Sequence, residues 1–188
     1  MNAEKGYVVV QGGIILEDLH AQLATYNLAM SNLGSISDQT LAGVITTATH
    51  GSGLTFGVMS TQVLALTLML ADGTKITCST LEHPELFKAS LCGLGATGLI
   101  LSVTLRVEPA FRLKEVQNTV EFDDLINDFD DQIGSAEHVR FWWFPQSGLV
   151  RTSKANRTLD VSITNKGFHC ILYMNSSLTI FIGRKSCG

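Results

Sequence analysis

Residues Gly34 to Gly53, with the sequence GSISDQTLAGVITTATHGSG, constrain the fold of this chain more than any other stretch. The stretch is crowded with glycine and small hydroxyl residues, and it contains no Lys, Arg or Pro. Its side chains are too small for an ordinary core segment, and it is too apolar for a linker. We therefore expect a loop whose bare backbone lies close to a ligand or to another segment.

Length and composition limit the number of domains and argue against several classes of function. The 188 residues are 45% hydrophobic, which is enough for one domain with a sizeable core and the beginning of a second. A formal net charge of -4 gives no basic patch, so we expect no nucleic-acid partner. The four cysteines lack C-x-x-C spacing, which predicts buried thiols in a reducing, intracellular compartment and no zinc site or disulfide frame. We recognise no signal peptide and no transmembrane helix.

The pattern before residue 110 predicts one unit of strands and short helices. YVVVQGG is typical of a buried strand ended by two glycines. ILEDLHAQLATY predicts a helix with four residues on one face, Leu16, Leu19, Leu23 and Tyr26. TQVLALTLMLADGTKITCS predicts a hairpin turning at Asp-Gly, EHPELFKASL a short helix, and LILSVTLRVEP a half-buried strand.

A second unit is expected to begin near Phe111. FRLKEVQNTVEF is strand-like, DDLINDFDDQI predicts one amphipathic helix, and EHVRFWWFP and LVRTSKAN predict two more strands. This order favours an antiparallel sheet backed by a helix, and the fold class is α+β. We expect domains at 1–110 and 111–158, followed by an atypical tail at 159–188 where the periodicity is lost.

The hexapeptide GLGATG, Gly93 to Gly98, matches the G-x-G-x-x-G pattern of nicotinamide-binding Rossmann folds. That mechanism needs a strand before the glycines and a helix after them. Here the predicted order is helix and then strand. The sequence therefore favours a tight turn whose glycines let a ligand or another segment approach the backbone.

Other local patterns have ordinary structural interpretations. THGSG lacks the G-K-[ST] ending of a P-loop, and His50 has no second ligand at metal spacing, so we expect no metal site. Trp142 and Trp143 are more typical of core and cover than of a substrate platform. Five aspartates are interpreted as solvated helix surface and not as a calcium loop: Asp123, Asp124, Asp128, Asp130 and Asp131.

The order of these segments resembles the vanillyl-alcohol-oxidase family with its PCMH-type FAD-binding domain, and within it the sugar-lactone oxidases. The resemblance is carried by NLGSISDQTLAGVITTATHGSG, STQVLALTLMLADG, HPELFKASLCGLGATGLILSVTLRVEPAF and EHVRFWWFP. It covers roughly Tyr7 to Thr158. It implies the later part of a PCMH-type FAD-binding domain, followed by the start of an antiparallel-sheet-plus-helix substrate domain.

The resemblance also implies a role for the bare stretch, which in the family lies along the pyrophosphate and ribityl chain of FAD. The best candidates for FAD contacts are Ser35, Thr40, Gly43 and Thr46. Thr47, Thr49 and His50 come second, and Ile100 is expected to contact the adenine end through its backbone. The ordinary alternative for Thr46 and Thr49 is packing in a strand.

The chain departs from the family pattern in three places. By the resemblance we expect that the family's early half-domain, whose glycine-rich loop carries a flavin-linked histidine, has no counterpart before the first strand, and that the downstream catalytic residues are missing. The chain is therefore expected to be a fragment that is inactive by itself, with catalytic residues unknown. Ala48 stands where the family has glycine, which is expected to narrow the approach of the cofactor.

By resemblance, the parent protein oxidises a D-arabinono-1,4-lactone-like sugar lactone with FAD and O2, yields H2O2, and belongs to an ascorbate-like pathway. The alternative from another class is a non-catalytic, truncated remnant that binds flavin weakly or not at all. The resemblance also allows a mitochondrial or other membrane-associated location for the full-length parent.

Overall fold

The computed structural model describes residues 6–159 and 169–173, and these residues form two compact units. The first unit comprises the chain up to Gly51 together with Phe56–Ala110. The second comprises Ser52–Thr55 and the chain from Phe111 onward. The three predicted domains stay predictions.

The first unit is built on a four-stranded antiparallel sheet. Its elements are β1 (Tyr7–Gln11), α1 (Leu16–Thr25), β2 (Leu28–Ala29), α2 (Leu41–Thr46), a 3-10 turn (Met59–Gln62), β3 (Val63–Met69), β4 (Lys75–Ser79), α3 (Pro84–Ser90), β5 (Leu99–Arg106) and β6 (Glu108–Pro109). The strand order is β1-β5-β3-β4, and β2 pairs with β6 separately. The predicted strands, hairpin and short helices are confirmed.

Helix α1 covers one side of the core because leucines recur along one face. Leu16, Leu19 and Leu23 are almost completely buried, as predicted. Tyr26 is different, since it caps the end of α1 and is 58% exposed. The expectation that Tyr26 lies on the helical face of these leucines is therefore wrong, because the helix ends one residue earlier, at Thr25.

The hairpin between β3 and β4 turns at Asp72 and Gly73, as predicted. Gly73 adopts a φ of +83°, which costs glycine little. The Asp72 carboxylate accepts a hydrogen bond from the Thr74 backbone N–H at 2.8 Å. This hydrogen bond favours the charged carboxylate and lowers the pKa of Asp72.

The second unit contains a four-stranded antiparallel sheet with two short helices. Its elements are β7 (Arg112–Glu121), α4 (Phe122–Asn127), α5 (Phe129–Ile133), β8 (His138–Phe144), β9 (Leu149–Thr158) and β10 (His169–Tyr173), and the strand order is β10-β7-β9-β8. The predicted sheet and its helical backing are confirmed. The residues after Leu159, apart from β10, lie outside the described part of the chain, so the atypical tail stays a prediction.

The single helix predicted over Asp123 to Ile133 is wrong. Asp128 has φ -111° and ψ 21°, and this non-helical conformation separates α4 from α5. Like charges three and four residues apart disfavour a continuous helix. The five aspartates are exposed, in agreement with their interpretation as solvated surface.

The two described cysteines have different environments. Cys78 in β4 is buried, and burial raises the pKa of its thiol. Cys92 is exposed, so the prediction of a buried thiol is wrong there. The reason is local: Cys92 has a φ of +63° in the turn after α3, which places it outside the core.

His20 on α1 gives the first unit a built-in dependence on pH. Burial lowers the pKa of His20, and its Nε2 has no hydrogen-bond partner among the described residues. Between its ordinary pKa and the lower folded value, the unfolded chain binds a proton that the folded chain does not. The free energy of unfolding should therefore fall as the pH drops from about 6.5 toward the folded pKa.

This expectation can be checked by denaturant unfolding of the wild type and His20→Gln across pH 5 to 8. We expect a weaker fall in stability on the acid side for the variant, because glutamine takes up no proton. The exposed histidine variant His83→Asn serves as the control and should keep the wild-type profile. Identical profiles for wild type and His20→Gln would contradict the assignment.

Candidate functional site

The glycine-rich stretch is partly helical. It contains α2, and three of the helix residues, Leu41, Val44 and Ile45, are completely buried in the core of the first unit. The expectation of a purely bare loop is therefore wrong in the middle of the stretch. The small and hydroxyl residues lie around this apolar face, at the two ends of the helix.

The N-terminus of α2 is closed by the protein itself. Thr40 is the N-cap, and its hydroxyl accepts from the Gly43 N–H at 3.2 Å. The N–H groups of Leu41 and Ala42 donate to the carbonyls of Ile14 at 2.9 Å and Gly12 at 2.8 Å. Because these three N–H groups are used, a ligand at this end meets side-chain hydroxyls in place of free amides.

A cluster of threonine hydroxyls lies at the other end of α2. Thr46 donates to the Ala42 carbonyl at 2.9 Å, and Thr47 donates to the Gly43 carbonyl at 2.9 Å. The Thr47 and Thr49 hydroxyls are 3.2 Å apart. Strand packing is the wrong description for Thr46 and Thr49, since neither lies in a strand. Thr47 is exposed, so this pair is open to a ligand.

Ala48 occupies the position at which helices commonly place glycine. The Thr49 N–H donates to the Val44 carbonyl at 3.1 Å, which closes α2 in a Schellman motif with Ala48 at φ +55°. A left-handed conformation is costly for alanine and not for glycine. The structure thus gives residue 48 a role in ending α2, while the predicted narrowing of the cofactor approach stays a prediction.

Ala48→Gly should stabilise the chain by about 1 kcal/mol, because it removes the left-handed strain of alanine. Thermal and denaturant unfolding measure the effect. Ala42→Gly is the matched control inside the same helix, where φ is negative and glycine should cost about 0.5–1 kcal/mol. A loss of stability in Ala48→Gly would contradict the strain argument.

The GLGATG turn joins α3 to β5 and lies against the end of α2. Its helix-then-strand order is confirmed, which excludes the Rossmann arrangement. The Cys92 and Leu94 N–H groups donate to the Ile45 and Thr46 carbonyls at 3.2 and 3.1 Å. Gly98 has a φ of +140°, and a Cβ there would lie 2.7 Å from the Met69 carbonyl oxygen. The predicted close approach is therefore made by chain segments, and a cavity of about 560 Å³ opens beside the turn.

The predicted FAD contacts fall into one cluster and three outlying positions. Thr40, Gly43, Thr46, Thr47 and Thr49 surround α2 through the hydrogen bonds above. Exposed Ser35 follows Gly34, at which a Cβ would lie 2.8 Å from Thr49 Cγ2. His50 is exposed, with Nδ1 2.9 Å from the Gly51 carbonyl, and buried Ile100 packs its backbone on Gly12. The roles of these eight residues toward FAD stay predictions.

The second unit contains a polar cluster that the sequence analysis did not identify. Glu115 in β7 is 3% exposed, and its Oε1 accepts from Ser153 Oγ and from Gln117 Nε2, the latter at 2.9 Å. Arg140 Nη2 lies 3.8 Å from the same oxygen. The residues come from three adjacent strands, so alternation within any one strand could not reveal them.

The two tryptophans lie on opposite faces of β8. Trp143, 55% exposed, stacks on Phe122 with ring centroids 4.7 Å apart and covers α4. Trp142, 37% exposed, has the Arg140 guanidinium 5.2 Å from its ring centroid. The expectation that these side chains belong to the core is wrong for both, because β8 is an edge strand. Trp143 covers Phe122, as expected of a covering residue, whereas Trp142 is open to solvent on its face of the sheet.

Comparison of folds finds two cholesterol oxidases with a similar fold. It resembles a solvent-stable cholesterol oxidase with a TM-score of 0.73 and 22% identity, over 82% of this chain and 32% of that one. A second cholesterol oxidase, the His121Ala mutant of the Brevibacterium sterolicum protein, matches with a TM-score of 0.72 and 19% identity. This match covers 81% of this chain and 32% of that one. At these identities the likeness shows the fold alone.

Sequence comparison finds two family matches in succession along the chain. Residues 1–79 match the FAD binding domain family, and residues 103–172 match the family described as D-arabinono-1,4-lactone oxidase. The chain thus carries sequence of both families in succession, and over this part it is similar to FAD-binding sugar-lactone oxidases. The predicted family, α+β fold class and cofactor are confirmed.

The similar relatives include both kinds of lactone oxidase. The D-arabinono-1,4-lactone oxidase of Yarrowia lipolytica is 43% identical over 156 residues, or 81% of this chain and 30% of the relative. The L-gulonolactone oxidase of Mus musculus is 44% identical over 150 residues, or 80% of this chain and 34% of the relative. This chain therefore spans about a third of the length of these relatives.

The residues around α2 suit part of FAD. Their hydroxyls offer hydrogen bonds to a polyhydroxylated chain such as the ribityl group, and Gly34–Gly53 contains no Lys or Arg that could pair with a phosphate. No group of three metal-ligating side chains occurs in the described residues, and none of the described helices is long and apolar enough to cross a membrane.

Proposed function

We propose that this chain is the FAD- and substrate-binding part of a sugar-1,4-lactone oxidase with a D-arabinono-1,4-lactone-like substrate. The observation that carries the proposal is the succession of two family matches, 1–79 and 103–172, in one chain. The chemistry that FAD supplies when bound is the two-electron oxidation of the sugar lactone, with O2 reduced to H2O2.

The threonines at the two ends of α2 would hold the ribityl part of the cofactor. Thr47 and Thr49 are hydrogen-bonded to each other, and the Thr47 proton is already donated to the Gly43 carbonyl. Their oxygens therefore serve mainly as acceptors for ligand hydroxyls. The hydrogen bonds within the helix end fix both oxygens before the ligand arrives, which reduces the entropy lost on binding.

A non-catalytic flavin-binding remnant is the second candidate. It is favoured by the extent of the match, since the relatives are about three times longer than the aligned region. For either candidate we propose an intracellular location, supported by free Cys78 and Cys92. Membrane association of a longer parent is a further proposal from the resemblance alone.

Titration of the 188-residue chain with FAD, followed by flavin fluorescence and thermal stability, tests the cofactor site. We expect saturable binding, weakened about tenfold in the double variant Thr47→Val/Thr49→Val because two hydroxyl hydrogen bonds are lost. Thr67→Val removes an exposed hydroxyl that pairs with Thr77 in the β3–β4 hairpin, and it should bind FAD like the wild type. Equal affinities for all three proteins would refute the assignment.

Turnover separates the two candidates once FAD binding is established. The FAD-loaded chain would be incubated with D-arabinono-1,4-lactone under air, and H2O2 would be measured. Lactone-dependent H2O2 supports the oxidase. FAD binding with neither lactone binding nor lactone-dependent H2O2 supports the non-catalytic remnant.

A further inference from the structure

The polar cluster of the second unit is an unusual feature for the middle of a sheet. A buried carboxylate is costly unless hydrogen bonds and a positive charge compensate it. Glu115 receives this compensation at one oxygen, from Ser153, Gln117 and Arg140. The hydrogen bonds from Ser153 and Gln117 hold the carboxylate in one orientation, and the carboxylate attracts the Arg140 guanidinium across an ion-pair distance of 3.8 Å.

Strand register puts these groups on the same face as Trp142. Gln117, Ser153 and Arg140 are directly opposite one another across β7, β9 and β8, and Glu115 is two residues from Gln117 on its strand. Trp142 is two residues from Arg140 and shares its face. The Arg140 guanidinium lies between the buried Glu115 carboxylate and the Trp142 indole ring. Because the Arg140 side chain is 41% exposed, it can still donate hydrogen bonds to a ligand.

We propose that Arg140, oriented by Glu115, and Trp142 form a binding site for the ring of a neutral sugar lactone. The guanidinium donates hydrogen bonds to the carbonyl or hydroxyl oxygens of the ring, and the indole covers its C–H face. This inference rests on the proposed function and deepens it by assigning the substrate contacts in the second unit. Glu115 is a positioning residue, because it acts through Arg140.

The charge balance of the site favours a neutral ligand. Glu115 offsets the positive charge of Arg140 at short range, so the pair presents directed N–H donors with little net charge. A ring-opened aldonate, which carries a carboxylate, would gain less from such a pair than from an unpaired arginine. The lactone should therefore bind at least as tightly as its aldonate.

The chain contains two tryptophans, which makes the proposal directly observable. Two-dimensional NMR of the ¹⁵N-labelled chain shows one indole N–H signal for each, assigned with Trp142→Phe. During titration with D-arabinono-1,4-lactone, we expect the Trp142 signal to shift saturably. The Trp143 signal, from the opposite face of β8, should stay in place and serves as an internal control.

Arg140→Lys is the decisive variant, because lysine keeps the charge and loses the planar fork of donors. We expect about a tenfold weaker lactone affinity. Arg157→Lys is the matched control, because Arg157 also has one glutamate and one aromatic partner. Its Nε lies 2.9 Å from Glu137 Oε1, and its Cζ lies 3.9 Å from the Phe111 ring centroid. It should bind lactone like the wild type. Glu115→Gln, if it folds, should weaken binding through the loss of Arg140 orientation.

Several results would overturn the site. These are no shift of Trp142 at lactone concentrations on the order of 10 mM, equal shifts of both indoles, equal affinity in Arg140→Lys, or tighter binding of the aldonate. The FAD titration with the Thr47 and Thr49 variants measures cofactor binding by the first unit independently of lactone binding. Failure of the lactone site with intact FAD binding would overturn this inference and leave the cofactor proposal standing, and the reverse result would do the opposite.

Discussion

Gly12→Ala should cost the first unit on the order of 3 kcal/mol or more of its free energy of unfolding. A Cβ on Gly12 would overlap the carbonyl oxygen of Ile100 and lie 3.1 Å from Ile100 Cγ2. The backbone cannot easily withdraw. The Gly12 N–H donates to the Leu101 carbonyl at 2.9 Å, and the Gly12 carbonyl accepts from the Ala42 N–H at 2.8 Å.

The neighbouring glycine provides the matched control. A Cβ on Gly13 would meet no heavy atom within 4 Å, so Gly13→Ala should change stability by less than about 0.5 kcal/mol. Both variants are compared with the wild type by denaturant unfolding followed by circular dichroism. Since Gly12 also joins α2 to β5, Gly12→Ala should bind FAD poorly as well. Equal stability of the two variants would show that the β1–β5 contact is looser than described.

The elements of the first unit could be predicted because their local signals agree with their tertiary environment. Leu16, Leu19 and Leu23 recur at helical spacing and are buried, and Asp-Gly marks a hairpin that forms at that point. The errors occur where local signals compete. Tyr26 continues the apolar face, but the helix ends at Thr25, and Asp128 interrupts a run of helical periodicity.

The candidate sites were predictable to different degrees. The small and hydroxyl residues around α2 are contiguous in the sequence, so their composition alone marked the stretch. Composition could not show that Leu41, Val44 and Ile45 turn one face of it into core. The Glu115 cluster is assembled by strand register across β7, β9 and β8, and register depends on turns and pairing that a single sequence does not specify.

Leu105→Ala is the other substitution with a large expected effect, about 2–5 kcal/mol of the free energy of unfolding. Leu105 is completely buried in β5, which lies between β1 and β3 in the sheet. It is paired with Val8 on one side and Val63 on the other, so its side chain is enclosed by neighbours from both strands. Truncation leaves a cavity that these paired strands cannot close without losing hydrogen bonds.

Leu99 at the start of the same strand provides the control, because its side chain is 59% exposed. Leu99→Ala should cost less than about 0.5 kcal/mol. Denaturant unfolding gives both values, and amide hydrogen exchange of β5 shows whether the loss is centred on this strand. Because β5 also carries Ile100 against Gly12, faster exchange there in Leu105→Ala should be accompanied by weaker FAD binding. Equal stability of the two leucine variants would show that β5 is not the centre of the core. It would also contradict the expected coupling between that core and FAD binding at α2.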